Sequence, residues 1–220
     1  MTSTLNREKD AATLAPSHEA ARLQRQERMA AADATPANIS SRDFRTSEIH
    51  RTFYLSIGPR QGAFLYATAR AAGARNIVEF GSSFGISTLY LAAAASDNGG
   101  RVTGSEFHPE KVAKATRNLQ DAGLSDIATI RGGDARETLA DIEGPIDLLF
   151  LDGAKELYLP VLSMLEDRLK PGALVIADNA DMLTDEEGTF LHHVGAGRQR
   201  YVTALVGFHK GLMSHSVFLG

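Results

Sequence analysis

From residue 60 onward, short apolar runs alternate with helical stretches. This alternation limits the fold more than any other feature of the chain. Runs at 76–80, 101–106, 127–131, 146–151 and 173–177 read as strands, and stretches at 60–73, 86–95, 109–122, 135–142 and 158–169 read as helices. Strands separated by helices build a parallel sheet covered on both faces. The run 146–151 is apolar except for Asp147, as a central parallel strand should be. Pro109 stands at a first helical position and Gly123 just past the helix end. A helix is expected over 185–195. The last strand-like runs, 200–207 and 212–219, have only the segment from Gly207 to Gly211 between them and should form an antiparallel hairpin at one edge. The expected fold is α/β: a Rossmann-like doubly wound, mostly parallel seven-stranded sheet with an antiparallel C-terminal hairpin.

Glycine divides the chain. All 20 glycines lie at Gly58 or later, so residues 1–57 are expected to be an N-terminal helical arm and 58–220 the main domain. Residues 18–34 are strong helix formers with few apolar positions, Leu23 and Met29 among them, and Pro36 should end that helix. A second helix is expected over 42–56, broken by Gly58-Pro59. A polar helix is marginal alone in water. The helix over 18–34 should therefore pack on another subunit or on the mouth of the active site, and a homodimer is expected.

Composition narrows the function. The net charge is −4 and there is no basic stripe, which argues against a nucleic-acid partner. The absence of cysteine excludes a disulfide scaffold, a thiolate metal site and a cysteine nucleophile. No apolar run approaches the ~18 residues of a membrane span, and no signal core is visible, so a cytoplasmic location is expected.

In a sheet of this kind ligands bind beyond the carboxyl ends of the strands. After the first strand come Gly81 and Gly85 with Ser87, a tight turn whose spacing is not G-x-G-x-x-G. Glu106 ends the second strand, where a carboxylate can accept both ribose hydroxyls. Gly132-Gly133-Asp134-Ala135 follows the third; Asp134 suits either a helix N-cap or an adenine edge. The fourth and fifth strands end in Asp152 and in Asp178-Asn179, an all-oxygen set of the kind Mg²⁺ or another hard divalent cation prefers. Lys155, three residues beyond Asp152, is a plausible base.

At these residues the chain resembles class I S-adenosylmethionine (SAM)-dependent O-methyltransferases, and more closely the metal-dependent catechol and caffeoyl-CoA group. The resemblance covers about residues 55–220 and is strongest from Asp147 through Asp152-Gly-Ala-Lys155 to Lys170-Pro-Gly and Asp178-Asn179. It implies that Glu79, Gly81 and Ser87 line the methionine part of SAM. Glu106 would hold the ribose, and Asp134 and Ala135 would flank the adenine. Asp152, also at the cofactor, would bind the metal with Asp178 and Asn179, and Lys155 would be the general base. The acceptor would be a small hydroxylated aromatic. Ala154 replaces a bulky aromatic of the catechol enzyme, and Met213 falls where that enzyme has a carboxylate for the second hydroxyl. His192, His193, His209 and His215 are lesser acid–base candidates. The alternatives are an NAD(P)-dependent oxidoreductase on the same sheet and a non-catalytic SAM-binding protein.

Overall fold

The computed structural model describes residues 3–30, 42–195 and 199–220. Helices α1 (Glu8–Ala30), α2 (Glu48–Thr52) and α3 (Pro59–Ala71) precede the sheet. Then β1 (Asn76–Phe80), α4 (Ile86–Asn98), β2 (Arg101–Glu106), α5 (Pro109–Ala122), β3 (Ala128–Gly132) and α6 (Ala135–Thr138) alternate. They are followed by β4 (Ile146–Leu151), α7 (Tyr158–Leu165), β5 (Leu169–Ala177), α8 (Phe190–Val194) and the hairpin β6 (Tyr201–Phe208) and β7 (Gly211–Phe218). The strand order is β3-β2-β1-β4-β5-β7-β6. β1 to β5 pair in parallel, and β7 pairs antiparallel with both β5 and β6.

Burial on both faces explains the unbroken apolar strands. Leu148 and Phe150 of β4 enter the core under α3, α4 and α5, while Leu149 and Leu151 enter the core under α6 and α7. Asp147 accepts from the backbone N–H groups of Arg75 and Asn76, each at 2.7 Å, and pairs with Lys170. The one charge in the strand therefore locks its neighbour's entry.

The arm differs from expectation. α1 starts at Glu8, ten residues early, and runs through Pro16; residues 31–34 and Pro36 lie outside the described residues. Leu14, Ser17 and Ala21 are buried where α1 packs on α4 and α5 of its own domain. Ahead of it, Thr4 and Tyr66 both donate to Asp97. The helix expected over 42–56 shrinks to α2, because Phe44, Tyr54, Leu55 and Ile57 turn inward from a largely extended segment. The helices expected over 135–142 and 185–195 are likewise short; in the second, Gly188 at φ +86° delays the start to the Thr189 cap. Among the described residues no helix is long and apolar enough to cross a membrane.

Candidate active site

The sheet register brings the expected residues into one row. Phe80 is level with Ser105 on one side and Leu151 on the other, and Leu151 with Ala177. Gly81, Glu106, Asp152 and Asp178 each come one residue later, across four adjacent parallel strands. Main-chain bonds run that extra step: Gly81 N to Ser105 O at 3.0 Å, Asp152 N to Phe80 O at 2.8 Å and Asp178 N to Leu151 O at 3.0 Å. Gly81 is required there. It sits at φ +89°, and a Cβ would lie 2.5–2.6 Å from the backbone of Asp152 and Gly153. The row falls between β1 and β4, where the strand order reverses.

Above the row lies a cavity of about 570 Å³. Gly81, Glu106, Asp134, Ala135, Asp152, Lys155, Asp178 and Asn179 all line it. Glu79 and Ser87 do not. Glu79 is fully buried behind the turn, where its Oε2 accepts from Ser82 at 2.6 Å and from Thr88 at 2.5 Å. Burial pushes its carboxyl up against those hydroxyls. These two residues shape the turn from beneath instead of forming the cavity wall. Glu106 is held by the backbone N–H groups of Ser83 (2.8 Å) and His108 (2.9 Å). Asp134 faces the cavity but is also an N-cap: its Oδ1 accepts from Arg136 N at 2.9 Å, and its bonds to the Arg136 guanidinium hold its pKa down. Ser83 (φ 49°) and Asn179 (φ 55°) are the non-glycine residues with left-handed backbone among those described, and both border the cavity.

The carboxylates at β4 and β5 face one another with Lys155 beside them. Burial pushes the Asp152 carboxyl well up, and the neighbouring Asp178 adds to this. Burial raises Asp178 as well. Lys155 Nζ lies 3.8 Å from Asp152 Oδ1 and donates to Tyr158 Oη at 2.6 Å and Gly153 O at 3.2 Å. Burial pulls the ammonium's pKa down against the pull of both aspartates. Tyr158 Oη in turn donates to Asp178 O at 3.1 Å. Among the described residues no cluster of three His, Cys, Asp or Glu could hold a metal ion. The candidate set is two carboxylates and the Asn179 amide, whose hard oxygens fit a divalent cation.

Several wall residues were not visible from the sequence. Gln61, 1% exposed at the start of α3, donates through Nε2 to Asp178 Oδ1 at 2.7 Å and accepts from Gly58 N at 2.8 Å. Tyr158, three residues beyond Lys155, is not in the wall; fully buried behind it, it accepts from Lys155 Nζ. Of residues 18–34, Arg25 lines the cavity, and the following segment adds Arg42, Phe44, His50, Tyr54 and Leu55. Met213 is fully buried in the core and does not border the cavity. Of the four histidines singled out, only His209 lines the cavity; His193 is engaged with Glu166 and His215 meets Phe64 edge to face.

A doubly wound sheet of this order, with acidic strand ends around one cavity, is the class I methyltransferase arrangement. Residues 78–180 match the family model described as a methyltransferase domain. A catechol O-methyltransferase from Niastella koreensis is 36% identical over 129 residues, which span 57% of this chain and 58% of that enzyme. The chain thus matches little more than half the length of such curated relatives. Among solved structures, an O-methyltransferase from Bacillus cereus in complex with SAH is 26% identical, with a TM-score of 0.65 over 75% of this chain and 83% of its own. The O-methyltransferase TomG from Streptomyces achromogenes, involved in tomaymycin synthesis and solved with SAM, is 25% identical, with a TM-score of 0.65 over 76% and 82%.

Proposed function

We propose that this protein transfers a methyl group from SAM to one hydroxyl of an aromatic acceptor bearing two adjacent hydroxyls, with help from a divalent cation. One observation carries the reading: the base candidate Lys155, the oxygen set Asp152, Asp178 and Asn179, and the cofactor-side Gly81 and Glu106 border one cavity. The methyltransferase relatives support it.

In this reading Glu106 accepts from the ribose, and Gly81 lets the cofactor approach the backbone. SAM supplies an electrophilic methyl on a sulfonium. Asp152, Asp178 and Asn179 would hold a divalent cation, which would supply Lewis acidity that makes an acceptor hydroxyl easier to ionise. Lys155 takes that proton; its burial favours the neutral amine that a base must be. The acceptor oxygen then bonds to the methyl carbon as the carbon–sulfur bond breaks, leaving a neutral thioether. The new Lys155 ammonium is stabilised by Asp152, Gly153 O and the Tyr158 hydroxyl. Phe44, Tyr54 and Leu55 give the cavity an apolar wall.

The test is methyl transfer from labelled SAM to vicinal diols and matched mono-phenols, with Mg²⁺ or with excess chelator. Label in the diols, lost with chelator, supports the reading. Full activity in chelator, or equal rates on mono-phenols, overturns its metal and acceptor parts, and no transfer to any acceptor overturns it entirely.

A further inference from the structure

The turn ahead of α2 carries an aromatic ring where turns favour small polar side chains. Residues 42–48 read Arg-Asp-Phe-Arg-Thr-Ser-Glu, so Phe44 is the one apolar side chain in that stretch. Asp43 builds the turn. Its Oδ1 accepts from Arg45 N at 3.0 Å, and its carbonyl accepts from Ser47 N at 3.0 Å and Thr46 N at 3.2 Å. Those bonds hold the backbone without any help from the ring. Phe44 instead leans over the domain, partly buried, and lines the cavity.

Its neighbours place the ring at one end of that cavity. Phe44 meets Phe107 edge to face, with 5.2 Å between centroids. Phe107 directly follows Glu106, the ribose acceptor of the proposed function. Phe44 also packs against the apolar cluster that contains Ala135. Glu106 is level with Gly132 across the β2–β3 pair, so Phe107 and Ala135 stand beyond neighbouring strand ends. Exposed Arg45 lies over the Phe44 ring, its guanidinium carbon 4.6 Å from the centroid, and its charge helps to hold down the Asp134 carboxyl. Lys155, Asp178 and Asn179, which face the acceptor, follow β4 and β5 instead. Phe44, Phe107 and Ala135 thus frame an apolar slot beyond β2 and β3. Such a slot suits a flat, uncharged ring, which aromatic side chains grip edge to face or offset.

We propose that Phe44 closes the outer wall of an adenine slot, so that the arm holds the cofactor and slows its release. This rests on the SAM reading above. It adds a contact from residues 42–46, outside the region 78–180 that matches the methyltransferase domain. Cofactor residence then depends on the arm as well as on the sheet. An aromatic contact of this kind, with the apolar area it covers, is worth about 5–20-fold in affinity.

The test measures SAH binding by calorimetry and SAH release by a chase of labelled SAH, in the wild type, Phe44→Ala and Phe44→Tyr. Phe44→Ala should weaken SAH by about 5–20-fold, mainly through faster release. Phe44→Tyr, which keeps the ring, should stay within about twofold of the wild type. Acceptor KM at saturating SAM should move little in either. If Phe44→Ala does not fold, as judged by circular dichroism, Phe44→Leu carries the same comparison. Unchanged SAH affinity and release in Phe44→Ala overturn the proposal. Tighter SAH binding in that variant would mean that the ring blocks the slot, and a raised acceptor KM with unmoved SAH affinity would put the ring on the acceptor side; both overturn it. A loss that Phe44→Tyr shares in full marks a packing defect and does the same. Wild-type protein that binds SAH while the variants match it leaves the methyl-transfer reading standing; wild-type protein that binds no SAH sinks both.

Discussion

The cavity has two kinds of wall. The floor is strand-borne: Gly81, Glu106, Asp152 and Asp178 stand in one register row, each fixed by the main-chain ladder of a sheet buried on both faces. The roof is arm-borne, and side chains hold it. Tyr54 N donates to Gln24 Oε1 at 2.9 Å, and the Tyr54 ring lies 4.3 Å from that of Phe84. Phe44 meets Phe107 edge to face at 5.2 Å, and Lys210 reaches Ser56 O at 3.4 Å. A ladder is cooperative, so moving one floor residue means moving a strand. The roof can be altered a contact at a time. The chemistry then belongs on the floor, and the hold on both ligands on the roof.

The sharpest test of this division is at the base. Lys155→Ala should lower kcat by about 10²–10⁴-fold, the usual worth of general-base catalysis. Affinity for SAH, measured by calorimetry, should change little. A mutant with near-normal kcat would take the chemistry off the floor.

Next comes the cofactor side of the same row. Glu106→Ala removes the proposed ribose acceptor and strands the N–H groups of Ser83 and His108. SAH affinity should fall by about 10–100-fold. Gln61→Ala should have an effect of similar or smaller size, but elsewhere. By freeing Asp178 it should weaken Mn²⁺ binding, read by electron paramagnetic resonance, while SAH affinity holds. If Glu106→Ala binds SAH like the wild type, the ribose assignment is wrong.

The floor was legible in the sequence because each residue follows an apolar run of recognisable length. The order of those runs dictates a parallel sheet, and the sheet dictates the row. Asp152, Lys155 and Asp178-Asn179 could be placed without knowing any packing. Glu79 and Ser87 show the limit of that logic: both lie in the right turn, but side-chain direction sends them under it. The same limit appears at Met213, where a hairpin register set by β5 turns the side chain into the core. The roof was illegible for a different reason. Residues 42–57 have helical composition but few helical contacts, and their conformation is decided by where Phe44, Tyr54 and Leu55 find cover. Nothing local in the sequence encodes that. Gln61 was hidden because it reads as an ordinary polar position on a helix.

A milder break is removal of residues 1–30. This takes away Gln24 and Arg25 from the roof and the Thr4 bonds to Asp97, and leaves the floor intact. Acceptor KM should rise by about three- to tenfold, the size of one or two lost contacts. The effect on kcat should be smaller. Since α1 packs on its own domain, the light-scattering mass should fall only by the deleted residues. A halved mass would mean that the arm also joins subunits. Unchanged kinetics would remove the arm from the roof.

The smallest expected effect concerns how the arm is anchored. Asp10 of α1 is 2% exposed and neither carboxyl oxygen has a partner. Burial lifts its pKa from 3.8 to about 6, with Arg7 opposing and Asp97 adding to the rise. The folded protein therefore binds this proton more tightly than the unfolded chain does. Its contribution is favourable below about 3.8, declines as pH rises toward about 6, and is fully lost above that. His18 and His50, both held near 4 mainly by burial, act oppositely as pH falls, so the wild-type curve alone would hide the term. The readout is the difference between Asp10→Asn and wild type. Asparagine mimics the protonated acid, so Tm should be nearly equal at pH 3.5 and higher in the variant by a few degrees at pH 7.5, about 2–4 °C per kcal/mol for a domain of this size. An equal shift at both pH values would mean that the substitution acts through packing and that Asp10 carries no charge strain.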